Sequence, residues 1–125
     1  MTDDPQGDLT LRTLAMPADT NVSGDIFGGW VLSQMDIAGG IVCAERAGGR
    51  VATVAVDAMK FIRPVKVGDV LCVYCRVTRV GRTSMAVEVE AWVRRGRLGD
   101  REKVTEAVFT FVALDDDGRP REVGA

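Results

Sequence analysis

The stretch Gly28-Gly29-Trp30-Val31-Leu32-Ser33-Gln34-Met35-Asp36-Ile37-Ala38-Gly39-Gly40-Ile41-Val42-Cys43-Ala44-Glu45-Arg46-Ala47 decides the fold. It suits one long helix, stopped by Gly48-Gly49. At about 1.5 Å per residue such a helix runs about 30 Å, enough to cross a small domain. It has almost no polar face: Trp30, Val31, Met35, Ile37, Ile41 and Val42 cover most of the helical wheel. It is therefore expected to be buried nearly all round, by a sheet curled around it and by an oligomer interface.

The sequence on either side reads mostly as β. Leu9 to Met16 suits a strand ended by Pro17, and 17–25 is dense in turn and cap formers. After the helix, strands are expected at Arg50–Ile62, Val70–Val80, Met85–Arg94 and Lys103–Leu114, all rich in Val, Phe and Thr. The linkers 81–84 and 95–102 are short enough for antiparallel hairpins. Along 85–93, Met85, Val87, Val89, Ala91 and Val93 share one face, opposite Glu88, Glu90 and Trp92, so one face is buried. The expected class is α+β: a long helix wrapped by a curved antiparallel sheet of about five strands. A single domain over 9–118 is expected, with a disordered terminus at 1–8 and a polar tail at 119–125.

The chain has 125 residues, 46% hydrophobic and 27% charged, with a net charge of −2. That is an ordinary globular composition with no charge excess to attract nucleic acid or a membrane. It contains no histidine, which excludes Ser-His-Asp and Cys-His catalysis and histidine metal ligation. Chemistry must run on carboxylates, amides, backbone donors or cysteine. Cys43, Cys72 and Cys75 lie in apolar segments, and residues three apart on a strand face opposite ways, so they read as buried thiols and no metal site is expected. No signal peptide is apparent and no apolar run reaches the roughly 18 residues of a membrane span, so a cytoplasmic setting is expected.

Asp36 demands explanation. Asp is a poor mid-helix residue, and its neighbours here are apolar. Its helical face holds Gly29, Leu32, Ser33, Gly39, Gly40 and Cys43, mostly small. Two readings stand: a carboxylate facing space that a ligand fills, or a structural Asp bonded to backbone beside close-packed glycines. Gly28-Gly29 opens the helix, where free N–H groups can bind an oxyanion or simply allow close packing. The glycine spacing fits neither a dinucleotide fingerprint nor a P-loop.

Charge is unevenly placed. Residues 60–103 hold 11 Lys/Arg against 5 Asp/Glu, a net of +6, and the rest holds 5 against 13, a net of −8. Gly81-Arg82-Thr83-Ser84 offers backbone N–H groups, two hydroxyls and a guanidinium, a combination suited to phosphate, although a solvated surface accounts for it equally.

The run Leu14-Ala15-Met16-Pro17-Ala18-Asp19-Thr20-Asn21-Val22-Ser23-Gly24-Asp25-Ile26-Phe27-Gly28-Gly29-Trp30-Val31-Leu32-Ser33-Gln34-Met35-Asp36 resembles the YciA-type acyl-CoA thioesterases, hotdog-fold hydrolases. The resemblance continues through 61–69, 80–84 and 105–113. It implies a long helix wrapped by an antiparallel sheet, pairing edge to edge into a dimer with one continuous sheet, and a trimer of dimers. It implies that Asp36 acts as general base or nucleophile, with Asn21 contributed from the opposing subunit. It implies that the amides of Gly28 and Gly29 polarise the thioester carbonyl. Arg63, Gly81, Arg82, Thr83 and Ser84 are the candidates for holding the CoA phosphates and adenine. CoA is then part of substrate and product, and no separate cofactor or metal is expected.

The expected activity is hydrolysis of acyl-CoA to free acid and CoA by a homo-oligomer, with neither a nucleic-acid nor a membrane partner. A dehydratase of the same fold would need a histidine. A non-catalytic acyl-CoA binder or sensor is the alternative. Loss of activity on the acid side should report a carboxylate rather than an imidazole.

Overall fold

The structure, a computed structural model, describes residues 4–95 and 99–124. Helix α1 spans Gly28–Ala47, as the sequence predicts, and Gly48 closes it at φ +69°, a left-handed position that suits glycine. The strands are β1 (Asp8–Leu14), β2 (Val51–Phe61), β3 (Val70–Val80), β4 (Ser84–Arg94) and β5 (Arg101–Ala113). They form one antiparallel sheet in the order β1-β3-β4-β5-β2. Each falls within about two residues of its expected bounds. The expected linker 95–102 includes 96–98, which lie outside the described residues.

The inner face of the sheet carries Leu71, Val73 and Cys75 of β3, Met85, Val87, Val89, Ala91 and Val93 of β4, and Phe109 and Phe111 of β5. These pack with Val31, Met35, Ala38 and Cys43 of α1 into one core. The alternation along β4 holds, but its outer face is not simply wet. Trp92 is buried with Cys72 and Tyr74 in a second cluster, and its indole N–H donates to Glu90 at 2.9 Å. Cys72 and Cys75 lie on opposite faces, and all three thiols are free and buried.

Of the two covers expected for α1, a curled sheet and an oligomer interface, its own chain supplies the sheet. Within one chain, Ile37 and Ile41 are 49% and 43% exposed, and Ser33 is exposed beside them. The sheet covers one side of the helix, and the described residues leave this row at four-residue spacing about half exposed. Strand β2, at the sheet edge, exposes Val54 (57%) and Phe61 (57%). It is irregular, with register shifts at 53/55 and 57/60, and Ala58 takes a left-handed φ of +51°.

The chain ends also differ from expectation. Residues 1–3 lie outside the described residues, but Asp8 opens β1 and the Gln6 N–H donates to Glu90. Residues 119–124, expected as a polar tail, turn back onto the domain: Leu114 bridges Pro120, and Val123 is 5% exposed.

Candidate active site

Asp36 lies on the third turn of α1, half-buried, at the floor of a cavity of about 370 Å³. The walls are Gly29, Leu32 and Ser33 from the same helical stripe, Thr53 and Val56 of β2, and Phe109 of β5. The stripe follows from spacing: positions i−7, i−4 and i−3 stack above Asp36 on one face. The carboxylate accepts a 2.6 Å hydrogen bond from the Thr53 hydroxyl on its Oδ1. One bond is thus fixed, and the second oxygen has no protein donor among the described residues.

The stripe of small residues divides in two. Gly29 opens to free space, with nothing within 4 Å of where a Cβ would sit. Gly39 instead faces the Phe111 ring, whose Cε1 lies 2.9 Å from that position, and Gly40 faces the same ring at 3.6 Å. Cys43 is buried in the core. The ligand-space reading therefore fits the N-terminal half of the stripe, and the close-packing reading fits the rest.

The helix start is capped by neither side chain nor backbone at its first two residues. Phe27 accepts from the Trp30 and Val31 amides, whereas the Gly28 and Gly29 amides have no acceptor among the described residues. Gly29 lines the Asp36 cavity, while Gly28 lines a neighbouring one of about 210 Å³ with Phe61, Arg63 and Thr105. Of the two free donors at the positive end of this 20-residue helix, Gly29 therefore borders the space above Asp36, and Gly28 the space next to it.

Asn21 is not part of that cavity within its own chain. Its Oδ1 accepts from the Ser23 and Asp25 amides at 2.9 and 3.2 Å, which folds the loop before α1. The side-chain NH₂ is left at an exposed tip with no partner among the described residues.

The candidates for phosphate contact fall at opposite ends of the sheet. Arg63 donates to the Lys103 carbonyl at 3.0 Å, close to Thr105 on β5. Gly81–Ser84 forms the β3–β4 turn, with Ser84 paired to Val112. Seven residues of β5 separate those levels, about 23 Å at strand rise. A single chain does not bring them together. The turn lies at the Thr53 end, since Thr53 pairs with Phe111 and Phe111 with Met85.

Two contributors were not singled out from sequence. Thr53 reads there only as a β-former, and its partnership with Asp36 depends on strand pairing. Arg79 lies on β3, and its Nη1 comes within 3.9 Å of the Cβ position of Gly81, adding a second guanidinium to the turn.

Residues 23–99 match the family model described as the Thioesterase superfamily. The acyl-CoA thioester hydrolase YciA of Escherichia coli is 58% identical over 120 residues, covering 94% of this chain and 91% of that protein. The hexameric thioesterase of Yersinia pestis superposes with a TM-score of 0.92 at 56% identity, covering 97% of this chain and 98% of that one. An aspartate-to-alanine mutant of a hexameric broad-specificity acyl-coenzyme A thioesterase also superposes at 0.92, with 54% identity over 95% of this chain and 88% of that one.

Proposed function

The chain belongs to the thioesterase superfamily and, within it, to the YciA acyl-CoA thioester hydrolases; from that premise we propose that Asp36 drives the hydrolysis. The observation that carries this reading is the half-buried Asp36 carboxylate, oriented by Thr53 in an apolar cavity beside the free amides of the helix start.

In the proposed mechanism the thioester carbonyl oxygen points at the Gly28 and Gly29 amides. These donors and the helix dipole stabilise the negative charge that develops there. Thr53 holds one carboxylate oxygen of Asp36, and the other accepts a proton from a water placed against the carbonyl carbon. The water oxygen bonds to that carbon, and the tetrahedral intermediate expels the CoA sulfur. The proton held by Asp36 then goes to the leaving thiolate, releasing free acid and CoA. Thioesters are activated acyl donors, so a correctly placed base and oxyanion donors suffice.

The site is completed by a second subunit. Its solved relatives are hexameric, and the exposed β2 edge with the Ile37 and Ile41 row offers an apolar surface for a partner. In this reading β2 pairs with β2 of the partner to continue the sheet, three such dimers assemble, and Asn21 reaches the Asp36 cavity of the opposing subunit. The basic turn at 81–84, with Arg79, holds the phosphates of CoA, and Arg63 serves from the other subunit. The apolar walls of the cavity and interface take the acyl chain.

The test is release of free thiol from acyl-CoA substrates of increasing chain length, followed with a thiol reagent. Turnover is expected with several lengths. Tight acyl-CoA binding without thiol release would instead identify a binder or sensor.

A further inference from the structure

The C-terminal segment, which neither the cavity nor the assembly described above uses, is tied to both the helix end and the basic turn. The Asp115–Gly118 turn reverses the chain, with the Asp115 carboxylate accepting from the Asp117 and Arg119 amides at 2.9 Å. The returning segment is then fixed by Arg121. Its guanidinium donates to the Ala47 carbonyl at 2.7 Å, to Leu114 at 3.0 Å and to Glu122 at 3.0 Å. Ala47 is the last residue of α1, so its carbonyl is one that the helix itself leaves unpaired. Gly49 makes room for this contact: a Cβ there would lie 2.9 Å from Nη2 of Arg121.

From this anchor the segment reaches the 81–84 turn. The Arg121 N–H donates to the Ala113 carbonyl at 2.9 Å, and the Ala113 N–H donates to the Thr83 carbonyl at 2.9 Å. Two residues on, the Val123 N–H donates to the Arg82 carbonyl at 2.9 Å, while the Val123 side chain is buried in the core. With the Gly81 N–H donating to the Ser84 carbonyl at 2.8 Å, the turn is held by backbone bonds along most of its length. The Arg82 side chain is exposed, with no partner among the described residues.

We infer that Arg121 is a positioning residue for CoA binding: it locks the C-terminal segment onto the end of α1, and that segment holds the 81–84 turn in the conformation that grips phosphate. The inference rests on the reading of that turn as the phosphate grip. Fixing a loop before binding removes its ordering cost from the affinity, so loosening it weakens binding of substrates that use the turn and spares those that do not. Turnover is largely unaffected, because neither Arg121 nor the turn touches the reacting carbon.

The test compares acyl-CoA with the same acyl group on pantetheine, which lacks the nucleotide and its phosphates. For Arg121→Ala the KM for acyl-CoA should rise about tenfold with kcat within about twofold of wild type, while the KM for acyl-pantetheine stays unchanged. Arg121→Lys, which can serve fewer of the three carbonyls, should fall between, and Val123→Ala should shift KM in the same sense should Arg121→Ala fold poorly. Amide hydrogen exchange at Gly81 and Ala113 should accelerate in the Arg121 variants. If Arg82→Ala raises the acyl-CoA KM but the Arg121 and Val123 variants do not, the positioning role is wrong and the grip stands. If Arg82→Ala leaves the KM for both substrates unchanged, the grip itself is wrong, and the positioning role falls with it. Unchanged exchange at Gly81 and Ala113 also overturns the positioning role.

Discussion

The Thr53 hydroxyl donates to Asp36 Oδ1 across 2.6 Å, joining the middle of the helix to the edge strand. A carboxylate on a helix can rotate about two side-chain bonds, and this contact selects one orientation of it. Thr53→Val keeps the shape and removes the donor. It should lower kcat by about ten- to hundredfold, as expected for loss of one hydrogen bond to a charged group, with little change in KM. Thr53→Ser should recover most of the loss. Steady-state kinetics on the three proteins checks this, and an unchanged kcat in Thr53→Val would remove the hydroxyl from the site.

Asn21 lies outside the cavity of its own chain, and in the proposed assembly it serves the neighbour's Asp36. Asp36→Ala and Asn21→Ala should each be nearly inactive alone. Unfolded together and reassembled at equal amounts, they should recover roughly a quarter of wild-type turnover, since half the dimers are mixed and each mixed dimer has one intact site. Recovery near zero would place both residues in one subunit's site.

Two glycines of one helical stripe should behave differently. At Gly39 a methyl group meets the buried Phe111 ring at 2.9 Å, and that ring stacks with Phe109 and has little room to yield. Gly39→Ala should cost about 1–3 kcal/mol from overpacking, read as a lower melting temperature. At Gly29 a methyl group meets nothing within 4 Å. Gly29→Ala should keep or raise stability, since Ala favours helix, yet lose activity because the methyl enters the Asp36 cavity. An active Gly29→Ala protein would show that substrate does not use that space.

Burial raises the Cys43 thiol from 9.0 to about 11, with nearby Cys75 adding to the effect. The native state therefore holds this proton at pH values where the unfolded chain has released it. Stability should fall as pH rises from about 9 to 11, by about 2–3 kcal/mol in all. Denaturant titrations across that range check it, and Cys43→Ala should flatten the alkaline slope while lowering stability at neutral pH.

Helix α1 and strand β3 were legible to the residue because their signals are local: a glycine stop for one, a run of β-formers bounded by turn residues for the other. Asp36 stood out as a polar residue in an apolar helix. Thr53 did not, because a threonine in a strand is unremarkable until pairing with β5 places it opposite the helix. The glycine stripe was visible, but its division between cavity and the Phe111 ring depends on which strand residue crosses beneath each turn. The docked C-terminal segment was hidden for a related reason. Its one apolar anchor, Val123, sits among polar residues, and most of its attachment runs through backbone groups and Arg121, which carry no periodic pattern.

In the proposed mechanism Asp36 performs the proton transfer in thioester hydrolysis. The direct measurement is kcat of Asp36→Asn against wild type, with acyl-CoA at saturation and the variant's fold and oligomeric state verified. The amide keeps the size and the contact with Thr53 but cannot act as a base, so turnover should drop by about a hundredfold or more. Turnover equal to wild type would rule out Asp36 as the base.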